Sequence, residues 1–264
     1  MKRDVSARIV LHVTEPADLV FAIAVAAQHP VGESFAATLD GAALPFREVL
    51  DAHGTRLHRV QSDAGELVVE YSASTESDSV TEAAAESDLL VYGRPSRYAE
   101  SDALAPTAVA EFAGITGSAE LLASVSSWVG TRLAYVSGSS LPTDGAVRTL
   151  LNRQGVCRDY AHLCVAFLRS LGVPARQVAV YAPGLAPMDF HAVAEAWVDE
   201  RWCVVDATTL APRQTLVRIA TGRDAADTAF LTILSGRADL GEVTVSAVAD
   251  SLPNDDVTQL VSIT

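Results

Sequence analysis

The hydrophobic residues of this chain change their period twice, and that change restricts the fold more than any other feature. Val5, Ala7, Ile9, Leu11 and Val13 recur at every second position, the spacing that puts the apolar side chains of a strand on one face. Between 117 and 136, GSAELLASVSSWVGTRLAYV spaces Leu121, Leu122, Val125, Trp128, Val129 and Leu133 at helical intervals, and DGAVRTLLNRQ reads as a shorter helix after it. A third helix begins near Cys157 in GVCRDYAHLCVAFLRSLGVPAR (155–176). Tyr160, Leu163, Cys164, Phe167, Leu168 and Leu171 form its apolar stripe, and Gly172, Val173 and Pro174 stop it. Period two then returns in RQVAVYAP, HAVAEAWV and RWCVVDAT, the last two flanking Asp199-Glu200 as a hairpin. Strands, then helices, then strands predict an α+β chain.

The first 74 residues or so break into short strands at Asp40-Gly41, at DAHG (51–54) and at DAG (63–65), the pattern of an antiparallel β-sandwich. TESDSVTEAAAESD (75–88) carries five acidic residues and no basic one, as a solvated connection does. The expected division is therefore 1–88, a β-sandwich with an acidic linker, and 89–264, a second domain; 264 residues, 49% of them hydrophobic, suffice for two cores. Lys2 and Arg3 followed by LVFAIAVAA (19–27) imitate a signal peptide, but Asp4, Glu15, Pro16 and Asp18 intervene and the alternation favours strands. No other apolar run approaches the roughly 18 residues of a membrane span. The expectation is a soluble, uncleaved, cytoplasmic protein without a membrane partner.

The 33 acidic against 19 basic residues give a formal charge of −14, and such a surface repels phosphate, which excludes nucleic acid as a partner. Three cysteines, with no Cys-x-x-Cys pair, do not make a disulfide framework and point to a reducing compartment. There is no internal repeat and no phosphate-binding Gly-rich loop. The acidic segment lacks the alternating ligands and the glycine of a calcium loop, so neither metal nor organic cofactor is expected.

A thiol in the first turn of a helix meets free backbone N–H groups and the positive end of the helix dipole, both of which favour thiolate; Cys157 has that position. Cys164, seven residues on, is separated from it by roughly 10 Å of helix rise, and His162 points elsewhere, so the three cannot share a metal. Cys164 reads as core and His162 as a partly exposed or locally hydrogen-bonded residue. A cysteine nucleophile needs a base, and the base an orienting group. If Val198 pairs with Arg201 around the hairpin turn, Val193 lies opposite Asp206, and His191 and Asp206 become diagonal neighbours on one face. Cys203 then falls on the other face with Ala194 and Ala196, a core position. Glu195, on the strand face of His191, is the next carboxylate in line.

These residues resemble a known family. GVCRDYAHLCVAFLRSLGVPAR followed by DFHAVAEAWVDERWCVVDAT is similar to the core of the bacterial transglutaminase-like superfamily. SRYAESD (96–102), SSWVGTRLAYVSGSS (126–140) and RIATGRDAADTAF (218–230) are similar to its two-domain subgroup, in which an N-terminal β-sandwich precedes the catalytic domain. The resemblance implies a papain-like fold, with the nucleophile at a helix N-terminus packed on an antiparallel sheet, and a triad of Cys157, His191 and Asp206. It implies thiol-dependent acyl transfer on a peptide or protein amide, with hydrolysis ahead of transamidation because nothing in the sequence marks an amine site. The alternative is a catalytically silent peptide- or protein-binding module of the same fold. Val193 stands where many relatives carry Trp. The backbone N–H of Cys157 is the first oxyanion donor, with Trp128 and Gln154 as candidates for the second and core packing as the alternative role of Trp128.

Overall fold

The computed structural model describes residues 1–28, 32–76 and 83–263. The first part comprises strands β1 (Lys2–Phe21), β2 (Gly32–Leu39), β3 (Ala42–Ala43), β4 (Phe46–Leu50), β5 (Arg56–Ser62) and β6 (Gly65–Glu76). Helices α1 (Glu86–Tyr92), α2 (Ser101–Phe112) and α3 (Ser118–Arg132) follow. Strand β7 (Ala134–Tyr135), helix α4 (Ala146–Asn152), strand β8 (Gln154–Gly155) and helix α5 (Cys157–Ser170) come next. The chain then forms β9 (Ala175–Tyr181), β10 (Phe190–Val198), β11 (Arg201–Val205), β12 (Val217–Gly222), the short helix α6 (Ala225–Thr228) and β13 (Leu231–Ala249).

The alternation of Val5, Ala7, Ile9, Leu11 and Val13 does what its period requires, since all five are buried on one face of β1. β1 continues past them as a single long strand to Phe21 and bends at Pro16. There its neighbour on one side changes from β6, paired over 2–13, to β5, paired over 17–21. Pro16 has no N–H for the ladder, and opposite it Gly236 takes φ +78°, where a Cβ would stand 2.1 Å from the Pro16 carbonyl oxygen. Bulges at this point curl the sheet, and the N-terminal sandwich takes the form of one curled seven-stranded antiparallel sheet. The turn at Asp40-Gly41 has both residues at positive φ (48° and 82°), as a tight hairpin between β2 and β3 requires. The run after Phe21 is not strand: Ala22 to Ala26 are irregular and buried.

The boundary expected at residue 88 does not follow the sheets. β13, far beyond it in sequence, pairs with β1 over almost its whole length. The core of the first sheet also takes in Tyr181, Val217, Ile219 and Ala220 from the second. Of the acidic segment expected as a linker, 77–82 lies outside the described residues.

The second sheet is antiparallel, in the order β11-β10-β9-β12. α5 packs on β9 and β10, with α2, α3 and α4 against its other sides. The sequence stripe therefore understates its burial: every residue from Asp159 to Arg169 is buried. Phe167 packs edge-on to Phe112 and Trp128 (5.6 and 5.1 Å between centroids), and burying such a ring stabilises the fold by about 3 kcal/mol. His162 is corrected by this environment: it is fully buried, and its Nε2 accepts from the N–H of Ala225, 63 residues away, so it is neither partly exposed nor bonded locally. Desolvation pushes its pKa down to about 3.

A buried charge cluster ties the strands of the second sheet to one another. Glu195 accepts from Arg176 (2.8 Å) and from Arg218 (2.7 and 3.0 Å), and the Arg176 guanidinium lies 3.9 Å from the centroid of the Trp202 ring. Among the described residues no helix is long and apolar enough to cross a membrane.

Candidate active site

α5 starts at Cys157 because the residues before it prepare the start. Val156 is extended (φ −115°, ψ −178°), and its N–H donates to Asp159 Oδ2 at 2.8 Å, which fixes the first turn from inside. Gly155 leaves room for that carboxylate, since a Cβ there would meet Asp159 Cβ at 2.6 Å. Cys157 is left half-buried at the helix N-terminus, where the amide dipoles of the first turn favour negative charge. Cys164 and Cys203 are both fully buried and lie in the core between α5 and the second sheet, and desolvation pushes both thiols up.

The hairpin has the register read from the sequence. Val198 pairs with Arg201 and Ala194 with Val205, around Asp199 and Glu200, both at positive φ (49° and 58°). This brings His191 Nε2 to 2.8 Å from Asp206 Oδ2, both side chains almost wholly buried. The other carboxylate oxygen, Oδ1, accepts from the N–H and hydroxyl of Thr208 at 2.9 and 2.7 Å. Behind it α3 closes in: Ser126 Oγ donates to the Asp206 carbonyl at 3.2 Å, and a Cβ on Gly130 would stand 2.5 Å from the Ala207 carbonyl oxygen. Burial alone would raise the Asp206 pKa, but the His191 charge and the hydrogen bonds from His191 and Thr208 hold it below its ordinary value.

An ionised Asp206 can only accept, so Nε2 of His191 carries a proton. Nδ1 is buried and makes no hydrogen bond among the described residues. Burial works against the imidazolium, but the Asp206 charge and hydrogen bond outweigh it, with a further contribution from the nearby Cys157 thiol, and the pKa is pushed up to about 10. The structure thus brings Cys157, His191 and Asp206 together, with the thiol close enough to the imidazole to favour its charged form.

Glu195 is not an alternative partner for His191, because Arg176 and Arg218 hold both its oxygens. Val193 is buried in a small apolar cluster with Val178, Val180, Val204 and Leu216 rather than lining a cleft. Trp128 is committed elsewhere, its Nε1 donating to Glu111 at 2.7 Å, and Gln154 is exposed in β8. The side chain that meets Cys157 is one the sequence reading missed, Tyr135. α3 ends at Arg132, short of the helix expected to 136, and 134–135 pair in parallel with 154–155 two residues before the cysteine. That ladder holds the Tyr135 phenol against both the backbone N–H and the thiol of Cys157; burial, then the thiol, raise its pKa, so it remains a donor at neutral pH. The signal available in the sequence was the end of the apolar stripe at Leu133.

Fold and geometry together define a class: an α+β protein in which a thiol at a helix N-terminus faces an imidazole–carboxylate pair on an antiparallel sheet, the papain-like arrangement. The family model of the transglutaminase-like superfamily matches residues 106–207. The crystal structure of a candidate cysteine protease from Cytophaga hutchinsonii is 31% identical and superposes with a TM-score of 0.87, covering 96% of this chain and 92% of that one. The chain belongs to the transglutaminase-like superfamily. An uncharacterised protein of Mycobacterium leprae is 30% identical over 122 residues, 42% of this chain and 43% of its own length. One of Mycobacterium tuberculosis is 34% identical over 124 residues, 41% and 39% respectively. The chain spans about two fifths of the length of these curated relatives.

Proposed function

We propose that the protein is a thiol-dependent acyl-transfer enzyme acting on peptide or protein amides, with Cys157 as nucleophile, His191 as acid and base, and Asp206 as the orienting carboxylate. One observation carries the reading. The buried 2.8 Å contact of His191 Nε2 with Asp206 Oδ2 leaves Nδ1 as the titrating nitrogen beside a thiol at a helix N-terminus. In this mechanism the Cys157 sulfur attacks the amide carbonyl, the C–N bond breaks as His191 Nδ1–H protonates the departing amine, and a thioester remains. The developing oxyanion takes the Cys157 N–H as one donor and the Tyr135 hydroxyl, which lies against that N–H and the thiol, as the second.

Water resolves the thioester, with His191 as its base. Hydrolysis is preferred to transamidation because no amine-binding site is evident in the sequence, and the protease assignment of the Cytophaga hutchinsonii protein agrees with it. Three unpaired cysteines support a reducing compartment and hence the cytoplasm. The test is alkylation of the folded protein with iodoacetamide near neutral pH, mapped by mass spectrometry. The expected result is one alkyl group, on Cys157, well before Cys164 or Cys203 are touched, and loss of amide turnover with it. Equal or slower reaction of Cys157 would leave the silent binding module as the reading.

A further inference from the structure

We propose that the free edge of β13 is an interface between two copies of this chain, paired edge to edge about a two-fold axis at Ala238, independently of the chemistry at Cys157. β13 runs for 19 residues and pairs on one side only, with β1. β1 has β6 and β5 on its own other side, so β13 ends the first sheet, and among the described residues its outer edge has no strand partner. The chain after it leaves that edge for the second sheet, where the Val204 N–H donates to the Val261 carbonyl at 2.7 Å. Open edges are commonly blunted by lysine or proline, and β13 contains neither. The apolar layer of the sheet also runs out here. Leu240 and Ile233 stand opposite Leu11 and Leu19, both wholly buried, and share their face of the sheet, yet they are 49% and 40% exposed.

When two antiparallel strands are related by a two-fold axis, one residue stands opposite its own copy, and the residues before and after it face each other. With the axis at Ala238, whose side chain is small and half-buried against the core, Arg237 meets the partner's Asp239 twice, once on each side. Both are exposed, and neither is held in an ion pair among the described residues. The backbone has the same symmetry. β13 carries one residue more than β1 at two places, Leu234 and Gly241-Glu242, where its register against β1 slips. Leu234 stands four residues before Ala238 and Glu242 four after it, so each bulge faces the partner's other bulge and the register resumes beyond them. Ile233 then lies opposite the partner's Val243, and Leu240 opposite the partner's Gly236, where no side chain is in its way. Bulges that deter an arbitrary flat strand therefore admit a second copy of this one.

The test is sedimentation velocity of the full chain over roughly 1–300 μM, the range suited to a small interface. Wild type should pass reversibly from monomer to dimer. Arg237→Asp and Asp239→Arg each set like charges opposite one another twice, and each should weaken the dimer by about tenfold or more. The double variant Arg237→Asp/Asp239→Arg restores the match with its sign reversed and should dimerise within about threefold of wild type. An equimolar mixture of the two single variants should dimerise equally well, because their charges then match only between chains; a substitution that had merely damaged the fold would not be rescued in this way. A wild type that stays monomeric throughout the range overturns the proposal. So does a dimer that either single substitution leaves unaltered, or a loss that neither the double variant nor the mixture restores.

Discussion

Asp206→Asn tests the arrangement of the dyad. The carboxylate has two occupied oxygens, Oδ1 held by the N–H and hydroxyl of Thr208 and Oδ2 by His191 Nε2. An asparagine has one acceptor. If its oxygen keeps the two Thr208 donors, its NH2 faces Nε2, the ring proton must move to Nδ1, and His191 can no longer take a proton from Cys157. If the amide flips to save the His191 bond, two Thr208 hydrogen bonds are lost, at about 1 kcal/mol each. The wrong tautomer is thus favoured by about 2 kcal/mol, roughly thirtyfold. The lost charge–charge attraction adds to this: about 4 kcal/mol for unit charges 4 Å apart at an effective dielectric of 20, partly retained as a hydrogen bond.

The analogous change in a serine protease costs about ten-thousand-fold. A thiol nucleophile depends less on its third member, so the expected loss is on the order of ten- to a thousand-fold. The assay is the rate of Cys157 alkylation, and of amide turnover where a substrate is available, beside matched thermal melts. Asp206→Asn combined with Thr208→Val should recover part of the loss, because one of the two donors that pin the amide is gone. Wild-type rates in a normally melting Asp206→Asn protein would refute the reasoning, and Glu195, occupied by two arginines, could not be invoked in its place.

Tyr135→Phe should lower turnover by about a hundredfold while leaving Cys157 alkylation within a few-fold of wild type, because alkylation builds no oxyanion; equal losses in both assays would make Tyr135 a packing residue. Glu195→Gln leaves Arg176 and Arg218 buried without their counter-charge and should destabilise the fold by about 3–5 kcal/mol in denaturant titrations, far more than Asp206→Asn. Stability should also depend on pH through the dyad. The folded pKa of His191 is raised to about 10, so its contribution is complete below the unfolded value of about 6.5 and is lost as pH rises through 10. That of Asp206 is lowered, so its contribution is present above about 3.9 and is lost as pH falls below it. The wild-type advantage over His191→Gln in unfolding free energy should therefore be greatest between these limits and shrink above pH 7; a constant difference up to pH 10 would contradict the assigned shift.

What the sequence determined by itself was everything set by neighbours in the chain. The start of α5 at Cys157 follows from its apolar stripe, and the closeness of His191 and Asp206 follows from a two-residue turn at Asp199-Glu200 together with the period of a strand. The same short-range rules gave the alternation of β1 and the hairpin at Asp40-Gly41. The meeting of Cys157 with His191, the burial of His162 and the pairing of Glu195 with two arginines were decided by packing between segments distant in the chain. Tyr135 is the clearest case, because its helix ends three residues earlier and a two-residue ladder to Gln154-Gly155, not any local period, turns the phenol onto the nucleophile. The return of Leu231–Ala249 to β1 belongs here too: a strand's alternation tells which face is buried but carries no record of its partner, and backbone hydrogen bonds between strands are the same for every sequence, so only the closing of the tertiary structure chooses the neighbour.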